Sequence, residues 1–389
     1  MRFLTSFMGY ERPDGSAGAR NHVAILPTVA CANGVAIALA GRIPGTVPLV
    51  HAHGCGRAGR DLELHFRTLS NLAAHPNVGA VLVVGLGCEV IRSEMIAGAI
   101  AASGRPVGRL DIQEEGGSRR ATAKGVEMLK AFLEETGEAE RTEVPLDRLI
   151  VGLECGGSDA FSGVTANPAV GIVTDHLVES GATAVLTEST EMIGTSHILE
   201  RRARDDVVAG QVRDMVRRAE DNANELLGPL ASMVIAPGNM DGGISTISEK
   251  SLGCITKGGS SEIVQVVDYG ERPTEKGLVL MDAPGYDVES MAGVAAAGAQ
   301  VMLFTTGRGN PAGFPTVPVI KVASNPGLYR SMLDDMDVNA GAVLEGASLA
   351  KVADTIEKLL KCVLDGELTK AERNGQEGIV CLYTTRPSF

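Results

Sequence analysis

The chain has 389 residues, 44% apolar and 21% charged, enough for two or three ordinary domains and far from the composition of a disordered segment. A formal net charge of −13 excludes a general nucleic-acid-binding face, and no apolar run of about 18 residues is present to span a membrane. Forty-eight glycines with only 3% aromatics and no Trp suit an α/β enzyme with many tight strand-to-helix turns better than a protein-docking module.

The opening MRFLTSFMGYERPDG has too short an apolar stretch for a signal peptide, so a cytoplasmic location is expected. GYERPDGSAGARN gathers Arg12, Asp14, Arg20 and Asn21 before the first strand; an arginine there can clamp a carboxylate or pair with Asp14. HVAILPTV reads as a strand followed by helical CANGVAIALAGRI, and AVLVVGLG as a strand followed by SEMIAGAIAASG. After the helical ATAKGVEMLKAFLEE, the charged stretch EETGEAERTEVPLD (134–147) marks a boundary between an N-terminal unit, 1–145, and a C-terminal unit, 146–389. The second unit continues with LIVGLECGG, NPAVGIVTDHLVESG and ATAVLTES, then the long amphipathic helix VVAGQVRDMVRRAEDNANELLG. GLVLMDAPG, DVESMAGVAAAG, QVMLFTTGRG and TVPVIKVASN follow, and SLAKVADTIEKLLKCVLDGE closes the pattern as a helix. Short apolar strands alternating with helices predict an α/β fold: two Rossmann-like units, each a mostly parallel sheet with helices on both faces, meeting at a cleft.

Seven cysteines, an odd number in a large chain, point away from a disulfide framework. Three stand beside glycine in turns: HAHGCGRAGRD (51–61), VVGLGCE ending at Glu89, and GLECGG from 152. Sites in open α/β sheets form at the carboxyl ends of strands, so Cys55, Cys88 and Cys155 are expected to share one pocket. Thiolate and imidazole are the soft ligands that suit iron or zinc. His51, His53 and Cys55 alternate, so an extended chain presents all three on one face. The expected metal set is His53, Cys55, Cys88 and Cys155, with Glu89 and Glu154 as further ligands or bases. Taken singly, each of these cysteines also fits a small buried residue in a glycine turn. Cys31, Cys254, Cys362 and Cys381 are placed outside the site, and Cys362 lies in a helical apolar pattern that reads as packing. Neither G-x-x-x-x-G-K-[ST] nor G-x-G-x-x-G occurs at these turns, which leaves nucleotide binding little support.

Four polar, glycine-rich stretches complete the picture: APGNMDGGISTISEKSLGCITKGG (236–259), FTTGRGNPAG (304–313), VIKVASN ending at Asn325, and DDMDVNAG (334–341). With Ser158 and Asp159 they offer Asn239, Thr246, Lys250, Lys257, Thr306, Arg308, Lys321, Asn325 and Asn339. Hydroxyls and amides suit a polyhydroxylated acid and Arg or Lys its carboxylate, although Asn, Gly and Thr also favour turns on their own account. Arg308, just past the strand FTTG, is the first choice for a carboxylate clamp because its fork can donate two parallel hydrogen bonds.

In this order, from about residue 9 to about 341, GYERPDGSAGARN, HGCG, GLGCE, GLECGGSDAFSGVTANPAVG, PGNMDGGISTISEKSLG, FTTGRGNPAG and D-x-NAG resemble the altronate/galactarate dehydratase family. That family includes sugar-acid dehydratases and the large subunit of sulfolactate sulfo-lyase. The resemblance implies a divalent-metal-dependent lyase, with Fe2+ first, Mn2+ second and an iron–sulfur cluster on the three cysteines as the alternative. The substrate would be an anionic 2-hydroxy acid with a leaving group, water or sulfite, at C3. A metal chelated by the carboxylate and 2-hydroxyl stabilises an enediolate, and His53, Glu89, Glu154 and Lys257 are the base candidates. Full-length dehydratases of the family carry a small β-clip domain ahead of this part, so a separate small β-clip-type subunit is expected, and a homo-oligomer is compatible. The competing class is a non-catalytic sugar-acid- or nucleotide-binding regulatory module, which has no need of three Cys-bearing turns with acidic neighbours.

Overall fold

The computed structural model describes residues 4–388. Its strands in chain order begin with β1 (Ser6–Glu11), β2 (Ala17–Gly18), β3 (His22–Pro27), β4 (Thr46–Pro48), β5 (Val78–Gly85), β6 (Val107–Asp111) and β7 (Thr142–Pro145). They continue with β8 (Ile150–Cys155), β9 (Thr183–Leu186), β10 (Ile263–Asp268), β11 (Leu278–Asp282), β12 (Val301–Thr306), β13 (Val319–Ala323) and β14 (Val338–Asn339). Two wholly parallel sheets result. One has four strands in the order β4-β3-β5-β6; the other has seven, β10-β11-β9-β8-β12-β13-β14. A small antiparallel sheet, β2-β1-β7, accompanies them. The α/β reading therefore holds, with parallel sheets in both units.

The central strands are the ones most legible in sequence. All eight residues of β5, VGAVLVVG, are buried, because helices cover both faces of a parallel sheet and no position needs to be polar. Edge strand β10 has only Ile263 and Val267 buried, the rest half-buried, and lacks the continuous apolar run, so its sequence does not announce it. Each sheet packs helices on its outer face. Ala166–Glu179, Asp206–Leu227 and Leu349–Leu364 cover the larger sheet, and Asn33–Ala40 and Ser118–Gly137 cover the smaller. Between the sheets lies one shared core. It joins Leu26 and Val83 of the small sheet to Met302 and Phe304 of the large one through the helices Arg60–Ala73 and Asp287–Ala296. Cys362, on the last long helix, is exposed; the apolar pattern around it packs, but this position faces water, and the packing role expected for it is corrected.

The two sheets point the same way. Asn77, just before β5, donates to the carbonyls of Gln300 (3.0 Å) and Thr316 (2.8 Å), and His75 Nε2 lies 3.0 Å from the Ala299 carbonyl. These bonds tie the amino ends of β5 and β12, so the carboxyl ends, where parallel sheets carry their sites, share the opposite rim. The C-terminal tail runs along that rim. The Gly313 amide donates to the Gln376 carbonyl (2.8 Å), the Val380 amide to Val50 (2.8 Å), and the Thr385 amide to Asp61 (2.8 Å).

Arg20 and Asn21, expected near substrate, are instead structural. Arg20 is buried and donates to Glu372 Oε1 (2.8 Å) and to the carbonyls of Val363 (2.7 Å) and Glu367 (2.8 Å). Asn21 accepts from Arg12 (2.8 Å) and donates to the Thr136 carbonyl (2.9 Å), and Asp14 is paired with Arg105 at 3.0 Å rather than with Arg20. A guanidinium that fastens the helix Leu349–Leu364 to the first strands has no donors left for a ligand. Arg20→Met leaves the mostly buried Glu372 carboxylate without its cation and takes a donor from the carbonyls of Ala19, Val363 and Glu367, so urea unfolding is expected to show a loss of about 3 kcal/mol; a loss under about 1 kcal/mol would return Arg20 to the list of free cations.

Candidate functional site

Strand β8 ends on Glu154 and Cys155, and neighbouring residues of a strand face opposite sides of the sheet. Glu154 points into the shared core, where Thr187 and Ser290 each donate to its Oε1 at 3.1 Å. Its Oε2 has no partner, and burial, then the nearby Glu188, raises its carboxyl well above the usual range. In register beside it stand Phe304 and Lys321. The Lys321 ammonium lies over the Phe304 ring at 3.4 Å from its centre with no hydrogen-bond partner, and burial pulls it down to about 7. The glycines after Cys155 make room: a Cβ on Gly156 would come within 2.1 Å of Asp287 Oδ2, and Gly157 adopts φ +61°.

Cys155 faces the other side and meets three further elements. Past β9, Glu188 adopts φ 68°, the only non-glycine residue with positive φ among the described residues, and a short turn, Ser189–Met192, follows. That kink sends both Glu188 and Glu191 under β8. Thr246 caps the helix Ile247–Cys254 by accepting from the Glu249 amide at 3.2 Å, so Lys250 and Cys254 fall on the inner face. The following turn, Ile255–Gly258, delivers Lys257. The result is a buried cluster. Cys155 Sγ donates to Glu191 Oε2 at 2.6 Å and lies 3.6 Å from Cys254 Sγ. Lys257 Nζ donates to Glu188 Oε2 at 3.2 Å and lies 3.9 Å from Glu191 Oε2, and Lys250 pairs with Glu191 Oε1.

Burial and the neighbouring Glu191 carboxylate raise Glu188 to about 7. Burial opposes ionisation of Glu191 too, yet Lys250 and then Lys257 hold it down to about 2. Burial pushes the Cys155 thiol up. Glu188 Oε1 is buried and unpartnered, an orphan carboxylate oxygen on a strained backbone, the combination that marks functional positions.

Among the described residues, Cys155, Glu191 and Cys254 form the one group of three His, Cys, Asp or Glu side chains whose donor atoms lie within 4.8 Å of one another. The donor set fits a soft divalent ion: two sulfurs 3.6 Å apart can each stand about 2.3 Å from one centre. This corrects two expectations. Cys254, placed outside the site, is in it. The set His53, Cys55, Cys88 and Cys155 is not brought together: Cys55 and Cys88 are exposed while Cys155 is buried, so no three-cysteine nest for an iron–sulfur cluster forms on them.

His53 and Glu89 lie elsewhere on the rim. Together with Thr28, His51 and His65 they line a cavity of about 10 Å3, room for a single water. The segment after β4 is not extended: the His53 amide donates to His51 Nδ1 at 3.2 Å, and His51 Nε2 lies 2.8 Å from the Pro27 carbonyl. Glu89 accepts from Thr28 Oγ1 (2.6 Å) and from the amides of Leu86 (3.0 Å) and Gly87 (2.7 Å). Burial works against that carboxylate, but these bonds lower its pKa, so it braces the turn that contains Cys88.

A cavity of about 50 Å3 leads to the buried cluster, lined by Ser158, Asp159, Ser162, Asn167, Lys250 and Cys254 among others. Asp159 accepts from Ser162 Oγ (2.8 Å), Ser324 Oγ (2.7 Å) and Asn325 Nδ2 (2.9 Å), which binds the loops after β8 and β13 into one wall. Thr306 accepts from the Gly309 amide at 2.9 Å, and Asn325 also caps the helix Pro326–Ser331. Asn239 and Asn339 each keep a buried, unpartnered Oδ1. The Arg308 backbone amide donates to the Gly157 carbonyl at 2.7 Å, and its exposed guanidinium has no partner among the described residues.

The comparisons agree with this architecture. Residues 146–386 match the model described as D-galactarate/Altronate dehydratase, C-terminal, and residues 9–137 match D-galactarate dehydratase/Altronate hydrolase, second domain. The chain belongs to the D-galactarate/altronate dehydratase family. It is 39% identical to the altronate dehydratase of Bacillus subtilis (strain 168), over 87% of this chain and 70% of that protein. It is 36% identical to the galactarate dehydratase (L-threo-forming) of Escherichia coli (strain K12), over 92% and 72%. It is also 35% identical to the (2R)-sulfolactate sulfo-lyase subunit beta of Chromohalobacter salexigens, over 96% of each chain. No helix among the described residues is long and apolar enough to cross a membrane.

Burial lowers the imidazoles of His22, His51 and His65 to about 4 from an ordinary 6.5. The unfolded chain therefore binds these protons first as pH falls, and folding stability is expected to decline between about pH 6.5 and pH 4. Thermal unfolding across that range checks this; a flat Tm there would show the rings already charged in the fold.

Proposed function

We propose that this protein is a metal-dependent lyase that removes water from a sugar acid of the altronate or galactarate type, a 2,3-dihydroxy acid, by β-elimination to give a 2-keto acid. The observation that carries this reading is the buried Cys155, Glu191, Cys254 group, flanked by Lys250 and Lys257 and reached by a hydroxyl- and amide-lined cavity. Family membership supports the same chemistry, since the relatives matched over most of the chain are named as dehydratases. A regulatory binding module has no use for an orphan carboxylate and two thiols at the end of a cavity.

Cys155, Glu191 and Cys254 are the residues that would hold the ion, Fe2+ first on the softness of two sulfurs and Mn2+ second. When bound, the ion supplies Lewis acidity that lowers the cost of charge developing on the substrate oxygens. Glu188, held beside the ligands with one oxygen free, is the group we assign to take the C2 proton. It replaces Glu89 as the acidic base candidate, because Glu89 spends its oxygens on the turn. Lys257 holds Glu188 in place through its 3.2 Å ion pair. Ser158, Asn167 and the Asp159–Asn325 wall bind substrate hydroxyls, and Arg308, with its free fork, grips the carboxylate from the rim. Thr246, Thr306, Asn239 and Asn339 support the site from around it, whereas His53 stays at the N-terminal rim and Glu154 and Lys321 on the other side of β8.

A second reading, release of sulfite and pyruvate from (2R)-sulfolactate, is favoured by one observation: the chain matches the sulfo-lyase subunit over 96% of that protein, but the dehydratases over only 70–75%. In either case a separate small subunit of β-clip type is the partner we propose.

The deciding measurement is 2-keto acid formation from altronate, galactarate and sulfolactate by anaerobically prepared protein with ferrous iron, with and without the small subunit. Turnover of none of the three would end the lyase reading. Glu188→Gln should lower kcat by about a hundredfold or more with bound iron unchanged; Cys254→Ser should lower bound iron as well as kcat. Arg308→Lys keeps the charge and loses the fork, so kcat/KM should fall about tenfold, matching roughly 1.4 kcal/mol; unchanged kinetics would move the clamp to Lys250.

A further inference from the structure

Of the seven cysteines, two touch. Cys155 Sγ and Cys254 Sγ lie 3.6 Å apart, both buried and both free, and sit on elements 99 residues apart in sequence. They are not equally hidden from solvent species. Cys254 lines the 50 Å3 cavity, whose rim residues Ala160 and Glu249 are exposed, whereas Cys155 lies behind it, under β8. At its wall Gly163 and Gly253 pack backbone to backbone, and a Cβ on Gly253 would come within 3.1 Å of the Gly163 Cα. Lys250 and Lys257 flank the pair through their ion pairs with Glu191 and Glu188.

We infer that Cys155 and Cys254 are an oxidation site that closes to a reversible disulfide with a small peroxide, and that closure disarms the metal-binding group. The chemistry balances in two steps. Cys254 Sγ attacks one oxygen of hydrogen peroxide, the O–O bond breaks, and hydroxide leaves as water with the thiol proton, so Cys254 becomes a sulfenic acid. Cys155 Sγ then attacks the Cys254 sulfur, an S–S bond forms and the S–O bond breaks; the departing hydroxide takes the Cys155 proton, now directed at Glu191, as a second water. Two thiols lose two electrons and one peroxide gains them. A closed bond brings the sulfurs to about 2.0 Å and removes two of the three ligand atoms, so ion binding and oxidation exclude one another. A dithiol reductant reopens the pair.

The formation of the bond rests on the two thiols alone; its effect on activity rests on the lyase reading. The test therefore begins without substrate. Protein stripped of metal with a chelator is treated with an equimolar portion of hydrogen peroxide, and its intact mass is measured. Loss of two hydrogens, peptides joined through Cys155 and Cys254, and recovery of both thiols with dithiothreitol are the expected results. Cys362→Ser, at an exposed position, should keep the linkage and Cys254→Ser should abolish it. Preloading with zinc ion, which does not itself reduce peroxide, should slow linkage by about tenfold or more, each tenfold being 1.4 kcal/mol of protection. Cys254 halted at sulfinic acid, linkage to another cysteine, or unreacted thiols at both positions would overturn the inference. A protein that links as expected yet turns over no sugar acid or sulfolactate when reduced and loaded leaves the disulfide standing and removes the lyase reading instead.

Discussion

Three charged side chains are buried at the end of β8 and a fourth, Lys250, nearly so, and charge inside a protein must be paired or neutralised. Glu188 and Glu191 on one side, Lys250 and Lys257 on the other, meet that requirement only together. The strand end, the kinked turn after β9 and the helix Ile247–Cys254 are held at one point as a consequence. The left-handed backbone of Glu188, which costs on the order of 1–3 kcal/mol, is tolerated because this turn alone lets Glu188 accept from the Cys155 amide (3.0 Å) while also facing Lys257. Strain, ion pairing and thiol placement are thus one arrangement.

The strand alternation of β8 divides the chemistry between two sides. Cys155 belongs to the cluster with two lysines. Glu154 belongs to the shared core with Phe304 and Lys321, where two more polar groups are left without partners. An ammonium over a ring at 3.4 Å keeps some electrostatic stabilisation, but a carboxyl oxygen with no donor keeps none, so both residues are held there by the fold rather than stabilising it. The shared core makes this possible. Its apolar contacts from both sheets and the two helices between them carry the stability that such groups consume.

The N-terminal rim has a different character. His51, His53 and His65 are kept neutral by burial around a cavity no larger than a water, and the C-terminal tail from Gln376 to Arg386 crosses above them. Because the amino ends of both sheets are tied at Asn77 and His75, this rim and the Cys155 cluster open on the same side of the molecule.

The alternation of apolar runs with helical patterns was enough to define an α/β chain with parallel sheets, because a strand covered on both faces has no polar positions to disguise it. Glycine-flanked turns such as GLECGG could be recognised as strand ends for the same local reason, and Cys155 with them. What composition and spacing do not carry is which strand ends face each other and which way a side chain points. Cys254 reads as one more small residue in a polar loop, and Glu188 and Glu191 as ordinary acids in TESTEM; nothing nearby in sequence says that a kink of φ 68° turns them under β8. Cys55 and Cys88 share the Gly-Cys pattern yet end up exposed, because their turns belong to the other sheet. Arg20 looked like a clamp until its partners, more than 340 residues away, were in place. Local pattern determines secondary structure because its physics is local; the site is made of contacts between distant segments, and only the packed chain decides those.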